Sequence, residues 1–367
     1  MIATVLPTYN RAPLAFERGA GSWLVTGDGQ RYLDLGAGIA VNALGHAHPA
    51  LIAALTDQAA RLWHVSNIYT VPEQQDLADL LVAETFADTV FFTNSGTEAA
   101  ELAIKMARKF HHDAGQPDRV GIIAVEGAFH GRSTGAIAAA GSEKMITDQT
   151  CAVMIEPVQG EGGIRVVPDQ CLKGLRDLCD QTGTLLIFDE VQCGMGRTGR
   201  LFAHEWAGVS PDIMMVAKGI GGGFPLGAVL ATERAASGMT VGTHGSTYGG
   251  NPLGCAVGAA VTKIIADPAF LAEVARKGAL FRQGLESLVA RHPQVFEGVR
   301  GEGLMLGLRC KPAPADVVKA GYDAGILTVA AADNVLRLLP ALNIPDDDIA
   351  EALRRLDQTA ASLTKAA

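Results

Sequence analysis

The sequence predicts an α/β protein with a large domain on a mostly parallel β-sheet and a smaller α+β domain from its N- and C-terminal parts. The first observation is that three apolar runs, at 151–155, 184–188 and 213–217, lack polar alternation and each precede a charged residue. Such runs are typical of strands buried on both faces. The second is that strand and helix patterns alternate from about residue 89 to 230, which favours βαβ units.

The N-terminal part predicts a β meander followed by two helices. Trp23-Leu-Val-Thr has strand character, Gly27-Asp-Gly is a tight turn, and Arg31-Tyr-Leu-Asp-Leu is the return strand. Apolar residues then recur at helical spacing over 50–62 and again over 73–84.

The central part predicts the sheet. Residues 89–93 and 119–126 have the pattern of buried strands, and a helix over 98–110 lies between them. A further helix over 170–182 connects the strand before Glu156 to the strand before Asp189. We therefore expect these two strands to be parallel and near neighbours.

The C-terminal part changes to long helices, over 252–265 and 268–291, and then to an α+β pattern. The strands that we expect there begin near residues 299, 304, 326 and 335, and a closing helix covers 346–363. The predicted division is 1–45 for the N-terminal part of the small domain, 46–262 for the large domain and 263–367 for its C-terminal part.

Composition and charge argue against several classes of function. The 367 residues are 48% hydrophobic and carry a net charge of −9, which argues against a nucleic-acid partner. No apolar run approaches the ~20 residues that cross a bilayer, and the first residues lack a signal-peptide pattern. Six scattered cysteines without a Cys-x-x-Cys pair favour reduced thiols in the cytoplasm.

Two residues at the predicted sheet edge point to a cofactor. Lys218 ends one buried strand, where partial desolvation favours the neutral amine that forms an imine. Asp189 ends another and can keep a pyridine nitrogen protonated. A lysine for an aldehyde and a carboxylate for a ring nitrogen are what pyridoxal phosphate requires. The alternatives are a strand-end lysine that reaches water and a helix N-cap aspartate.

Other residues around this edge are candidates for the same cofactor. Ser95, Gly96 and Thr97 precede a helix and form a phosphate seat, although the same pattern is more often an ordinary N-cap. Gln192 is placed to bond the phenolic oxygen and Val191 to pack on one ring face. Phe129 could stack on the other face or belong to the core.

Substrate carboxylates would be bound by arginine, which forms two parallel bonds to a carboxylate. Arg132 and Arg337 are the candidates, and Glu161 could neutralise an arginine when no second carboxylate is present. Gly194-Met-Gly-Arg-Thr-Gly199 fits the dinucleotide pattern, but no helix pattern begins at its third glycine. We expect no metal site, because the histidine pairs lack partners at zinc spacing.

Eight motifs across nearly the whole chain resemble the class III pyridoxal-phosphate aminotransferases of fold type I, and most closely the members that act on N-acetylornithine. They are Gly36-Ala-Gly-Ile-Ala-Val-Asn with Gly45-His-Ala-His-Pro, Asn94-Ser-Gly-Thr-Glu-Ala, Phe129-His-Gly-Arg, Glu156-Pro-Val-Gln-Gly-Glu-Gly-Gly, Phe188-Asp-Glu-Val-Gln, Gly194-Met-Gly-Arg-Thr-Gly, Ala217-Lys-Gly and Gly245-Ser-Thr-Tyr-Gly-Gly-Asn-Pro-Leu.

The resemblance implies Lys218 as the imine-forming lysine and Asp189 as the partner of the ring nitrogen. It assigns Gly96 and Thr97 to the phosphate and Phe129 to the ring face. It also implies a homodimer with shared active sites, in which Thr247 reaches the neighbouring subunit's cofactor phosphate and Ser246 lies near the substrate there. Arg132 would bind the α-carboxylate of the amine donor or a glutamate carboxylate, and Arg337 the glutamate α-carboxylate. Tyr9 matches, loosely, a substrate-contacting tyrosine.

The implied reaction transfers the δ-amino group of N2-acetylornithine to 2-oxoglutarate in arginine biosynthesis. Succinyl-diaminopimelate, succinylornithine, ornithine and 4-aminobutyrate are alternative donors, and an aminomutase is a different enzyme class. One departure from the family lies between Ala139 and Cys151, where relatives have a longer segment. It is either a deletion or a loop absent from the numbered chain, and the dozen residues that a parallel crossover needs favour the second.

Overall fold

The structure of the chain is a computed structural model that describes residues 8–133, 135 and 147–366. Within these ranges the strands are β1 Phe16–Ala20, β2 Trp23–Thr26, β3 Arg31–Asp34, β4 Thr89–Thr93, β5 Gly121–Ala124, β6 Thr150–Ile155, β7 Val158–Gln159, β8 Arg165–Val166, β9 Leu185–Asp189, β10 Ile213–Val216, β11 Gly227–Ala231, β12 Phe296–Glu302, β13 Met305–Cys310, β14 Ile326–Leu327, β15 Val329–Ala331 and β16 Val335–Leu338.

Within the described ranges, seven helices agree closely with the periodicity of the sequence, whereas Ala37–Ala40, Glu233–Ala236 and Pro314–Asp323 were not predicted from it. Proline at the first turn and Asp, Asn or Ser as N-cap begin several of them, as for Pro252–Ile265 behind Asn251 and Pro268–Arg291 behind Asp267. The helices are Ala37–Ala40, Pro49–Ala59, Pro72–Ala83, Gly96–Asp113, Asp169–Thr182, Glu233–Ala236, Pro252–Ile265, Pro268–Arg291, Pro314–Asp323 and Asp346–Ala366, with 3₁₀ turns at Ala203–Trp206 and Lys218–Gly221.

The central sheet has the order β4-β11-β10-β9-β6-β5. Strands β5, β6, β9 and β10 pair in parallel, which confirms that the strands before Glu156 and Asp189 are parallel neighbours. Strand β11 is antiparallel to both β10 and β4. It is therefore the one strand of the six that runs against the others, so the carboxyl ends of the remaining five meet at one edge.

The core covers both faces of this sheet. Every residue of β6, β9, β10 and β11 is buried, which explains why their sequences show no polar alternation. The Gly96–Asp113 helix buries its alanine-rich side on one face, against β10 and β11. The Pro252–Ile265 helix packs with Leu77 and Leu81 of the Pro72–Ala83 helix in the core of the other face.

The two ends of the chain meet in a second sheet. The meander β1-β2-β3 is extended by β14, whose Ile326 and Leu327 pair in parallel with Leu33 and Asp34 of β3. A separate antiparallel sheet has the order β12-β13-β16-β15. These pairings support a small unit that contains both ends of the chain, although the division at residues 45 and 262 stays a prediction.

Among the described residues, no single helix is long and apolar enough to cross a bilayer. The Pro252–Ile265 and Pro268–Arg291 helices reach that length and apolarity only as a pair, and this pair is bent by 70°.

Candidate active site

A cavity of about 320 Å³ lies where the carboxyl ends of the parallel strands meet. Because five strands point the same way, the residues that follow β4, β5, β6, β9 and β10 all reach it. Its lining contains eight of the residues singled out above for the cofactor, namely Ser95, Gly96, Thr97, Phe129, Asp189, Val191, Gln192 and Lys218.

Lys218 follows β10 and begins a 3₁₀ turn, with a φ of +47° that is rare for a residue with a side chain. Burial lowers the pKa of its ammonium, and the nearby Asp189 and Glu161 offset that effect only in part. The lowered pKa favours the neutral, nucleophilic amine. Strained backbone of this kind persists where the surroundings fix it, and it is common at active sites.

Asp189 is the last residue of β9 and is only 4% exposed. Its Oδ1 accepts a hydrogen bond from the backbone N–H of Val191 at 3.0 Å, and its Oδ2 accepts one from Nδ1 of His130 at 2.8 Å. Burial lowers the pKa of His130, but the bond and charge of Asp189 together raise it above its usual value. The carboxylate is thus held in one orientation at the cavity wall.

His130 is a site residue that the sequence analysis did not select. It lies in the loop after β5, two strands away from Asp189 in the sheet, and is 3% exposed. The one available signal was its place beside Phe129 in a loop after a buried strand, and no spacing rule joins that loop to Asp189.

The two interpretations of Ser95, Gly96 and Thr97, a phosphate-binding site and a helix N-cap, are compatible. Ser95 is the N-cap of the Gly96–Asp113 helix, and its Oγ accepts from the N–H of Glu98 at 3.3 Å. The first N–H groups of a helix have no partners within it, so they are available to an anion. A Cβ at Gly96 would lie 2.9 Å from Val191, so a glycine is needed where these two elements approach each other.

Arg337 and Glu161 form a bidentate ion pair. Nη1 of Arg337 lies 2.6 Å from Oε1 of Glu161, and Nη2 lies 3.0 Å from Oε2. The arginine side chain is 2% exposed, whereas that of the glutamate is 33% exposed and can move outward. Nη1 also donates to Oε1 of Gln192 at 3.1 Å, which connects the pair to the cavity lining.

Four other candidate residues lie outside the lining of this cavity. The guanidinium of Arg132 is 6.0 Å from the ring centre of Phe129. Ser246 and Thr247 line a neighbouring surface cavity with Asn94 and Thr97. Tyr9 is 65% exposed, and the guanidinium of Arg11 lies over its ring. A single chain therefore does not bring Ser246, Thr247 or Tyr9 to Lys218.

A left-handed turn carries Val41 to the cavity wall. Residues Ala37–Ala40 all have positive φ, between 45° and 64°, although three of them carry a Cβ. Such residues cost about 1–2 kcal/mol each in this conformation. Asp34 compensates, because its Oδ1 accepts from the N–H groups of Gly36 and Ala37, while its Oδ2 bonds Nε2 of His46 at 2.8 Å.

A buried lysine, a fixed carboxylate and a helix N-terminus around one cavity, on a sheet of this topology, define a fold-type-I pyridoxal-phosphate-dependent enzyme. Comparison with known sequences gives the family. The sequence model of the class III aminotransferases matches residues 5–150 and 142–360, and the chain belongs to this family.

Individual relatives are similar over their full length. The chain is 67% identical over 388 aligned positions to the acetylornithine aminotransferase of Rhodobacter capsulatus, and the alignment covers 99% of both proteins. It is 40% identical to the solved N-acetylornithine aminotransferase of Stenotrophomonas maltophilia, with a TM-score of 0.88 and 98% of both chains covered. The ornithine aminotransferase of Toxoplasma gondii has a TM-score of 0.93 at 29% identity, with 99% and 94% covered.

The comparisons also bear on the short segment after Ala139. The family match is broken into two parts that overlap at 142–150. The 388 aligned positions exceed the 367 residues of the chain, so the Rhodobacter relative has residues that this chain lacks. Residues 140–146, on which the prediction of a deletion or an omitted loop falls, lie outside the described part of the chain.

Proposed function

We propose that this chain is an aminotransferase that moves the δ-amino group of N2-acetylornithine to 2-oxoglutarate, as in arginine biosynthesis. The observation that carries the proposal is the ion pair of the buried Arg337 with the partly exposed Glu161 beside the Lys218 cavity. A second support is the 67% identity to the acetylornithine aminotransferase of Rhodobacter capsulatus, over 99% of both chains. The proposed cofactor site is built from residues of this chain as follows.

Pyridoxal 5′-phosphate, when bound, supplies an aldehyde that carries the amino group and a ring that withdraws electrons. Lys218 would bind it through Nζ and, once released by the incoming amine, move a proton with the same nitrogen. Asp189, held by His130, would keep the ring nitrogen protonated. Phe129 and Val191 would pack on the two ring faces.

The polar anchors of the cofactor are proposed from the same lining. Ser95, Gly96 and Thr97 would bind the phosphate at the helix N-terminus. Oε1 of Gln192 already accepts from Arg337, so its amide N–H₂ remains as the donor for the phenolic oxygen. Thr247 of a second subunit would complete the phosphate site.

The Arg337–Glu161 pair suits a site that must accept two substrates of different charge. Arg337 would bind the α-carboxylate of glutamate or 2-oxoglutarate after Glu161 swings outward. With N-acetylornithine, whose one carboxylate we assign to Arg132, Glu161 would stay on Arg337 and neutralise it. A buried arginine without an anion is costly, so this exchange lets one pocket serve both half-reactions.

We also propose a homodimer with shared active sites. Large apolar side chains that are exposed in the single chain concentrate in two segments, 52–69 and 241–248. The two segments are in contact, because the ring centres of His64 and Tyr248 lie 5.1 Å apart, and clustered exposed apolar surface marks an interaction site. Ser246 and Thr247 lie in the second segment. In a dimer, these two residues of one subunit would reach the cofactor bound by the other subunit. The exposed apolar members are Ile52, Leu62, Trp63, Ile68, Tyr69, Val241 and Tyr248.

We propose a cytoplasmic location, which agrees with six cysteines that are all free, five of them buried. Amino acids and 2-oxo acids would be its small-molecule partners. Tyr9 remains a proposed substrate contact, because the exposed N-terminal segment leaves its ring available.

A substrate screen tests the proposed reaction. The purified protein with pyridoxal phosphate and 2-oxoglutarate should turn over N-acetylornithine with a higher kcat/KM than ornithine, succinylornithine, succinyl-diaminopimelate or 4-aminobutyrate. Ornithine is the second candidate, because of the TM-score of 0.93 to an ornithine aminotransferase. A preference for ornithine, or turnover without any 2-oxo acid as an aminomutase would show, refutes the proposal.

A further inference from the structure

Glu156 is a buried acid at the cavity that the proposed reaction does not use. It follows β6 directly, and the register of β6 with β9 pairs Ile155 with Phe188. The next residues along each strand, Glu156 and Asp189, are therefore neighbours at the sheet edge. Glu156 is 4% exposed, and none of the described lysine or arginine side chains forms an ion pair with it.

Its carboxylate instead accepts one backbone N–H from each of two loops. Oε1 accepts from the N–H of Phe129 at 2.9 Å, and Oε2 accepts from the N–H of Gly160 at 3.0 Å. The first loop follows β5 and the second follows β7. One side chain thus connects two segments that are separated in sequence.

The two loops also touch each other directly. Nε2 of Gln159 donates to the carbonyl of Glu126 at 3.0 Å. A Cβ at Gly162 would lie 2.6 Å from the carbonyl oxygen of Gly127, and one at Gly160 would overlap the side chain of Gln192. Glycine at 162 allows the two loops to approach each other this closely, and glycine at 160 leaves room for the Gln192 side chain.

The residues carried by these loops have different tasks. Phe129, in the first loop, lines the cavity, and Arg132 lies beside it. Glu161, next to Gly160, holds Arg337. Burial, and next to it the charge of Asp189, raises the pKa of Glu156 to about 7, so the surroundings disfavour its charge. The two backbone N–H groups that it binds stabilise the charged form against this effect.

We propose, on the basis of the function given above, that Glu156 is a positioning residue. It couples the loop after β5, which carries Phe129, to the loop after β7, which carries Glu161. The two hydrogen bonds fix Phe129 and Gly160 relative to one another. A change at this side chain then affects the cofactor and the 2-oxo acid together through the two loops.

The variant Glu156→Gln tests the coupling, because an amide retains one acceptor oxygen and loses the other. We expect faster hydrogen–deuterium exchange in peptides that cover 125–133 and 158–164. We also expect the dissociation constant of the apo-protein for pyridoxal phosphate and the KM for 2-oxoglutarate each to rise about ten-fold, as for the loss of a charged hydrogen bond. Glu156→Asp, which is too short to reach both loops, should behave in the same way.

Glu190→Gln is the control. Glu190 is also a fully buried glutamate that accepts two backbone N–H groups, from Ala203 at 2.7 Å and His204 at 2.8 Å. Unlike Glu156, it also bonds an imidazole, Nδ1 of His204 at 2.9 Å, and these partners lie in a turn outside the cavity lining. It should lower the melting temperature and leave both constants within two-fold.

Two results would overturn the coupling. One is a Glu156 variant in which exchange increases in a single loop, or in which the dissociation constant for pyridoxal phosphate and the KM for 2-oxoglutarate both stay within two-fold of wild type. The other is an equal rise of both constants in Glu190→Gln. Exchange and cofactor binding are measured without turnover, so a wild-type protein inactive on N-acetylornithine would refute the proposed reaction while these measurements still judge Glu156.

Discussion

The substitution Glu161→Gln should change which substrate the protein prefers. If Arg337 binds a substrate carboxylate as proposed, that carboxylate must displace the Glu161 carboxylate, whose two bonds to Arg337 are 2.6 and 3.0 Å long. A neutral amide competes less well for the guanidinium. The variant should therefore react faster with glutamate and more slowly with N-acetylornithine, which leaves Arg337 without an anion.

The magnitude follows from the exposure of the pair. A hydrogen bond to a charged group is worth about 1.5–3 kcal/mol. Because Glu161 is 33% exposed and partly screened by water, we take the lower end. About 1.5 kcal/mol corresponds to roughly a ten-fold change in the ratio of the two kcat/KM values.

Single-turnover absorbance of the cofactor measures each half-reaction separately. Glu273→Gln is the control, because it makes the same chemical change in an exposed Arg–Glu pair on the surface. It should leave the ratio unchanged. If Glu161→Gln alters both half-reactions by the same factor, the pair does not discriminate between substrates and the reasoning is wrong.

Three further predictions concern the lysine, the donor carboxylate and the subunit interface. Lys218→Met should abolish turnover and the absorbance of lysine-bound cofactor; retained turnover would contradict its role. Because burial lowers the pKa of Lys218, the unfolded chain binds the extra proton between that pKa and about 10.4. The apo-protein therefore gains stability from Lys218→Met at pH 7, and the gain in melting temperature should shrink as the pH rises towards about 10.4; a gain independent of pH would refute this. Arg132→Ala should raise the KM for N-acetylornithine several-fold, because a charged hydrogen bond is lost; an unchanged KM would remove Arg132 from the site. Val241→Asp, at a side chain fully exposed in the single chain, should shift sedimentation from dimer to monomer, whereas Val120→Asp elsewhere on the surface should not; a wild-type monomer would refute the interface.

The sheet could be predicted because its residues are buried on both faces. Apolar runs that end on Glu156, Asp189 and Lys218 indicated which strands reach one edge, and the register of β6, β9 and β10 agrees with that prediction. The position of β4 beside β11 could not be predicted, because a strand followed by a helix has the same pattern at any place in a sheet. The pairing of β11 with β4 and β10 depends on tertiary packing and not on the local sequence pattern.

Contacts between distant segments were harder to predict for the same reason. The bond between His130 and Asp189 joins residues 59 positions apart, and no local pattern records it. The left-handed turn at Ala37–Ala40 was also missed, because alanine and isoleucine disfavour positive φ. Asp34 stabilises its beginning by accepting from the N–H groups of Gly36 and Ala37, and His46 holds the other carboxylate oxygen of Asp34. The assigned roles of Arg337 and Glu161 came from family resemblance, since spacing does not single out an arginine.

The pairing of β14 with β3 has a consequence for biosynthesis. Ile326 meets Leu33 across about 290 residues of intervening chain. At 5–20 residues per second, the ribosome needs roughly 15 to 60 s to make that stretch. The meander thus emerges early and keeps an unpaired strand edge throughout translation of the large sheet. Nascent chains stalled before residue 326 should be the form that chaperones hold most firmly.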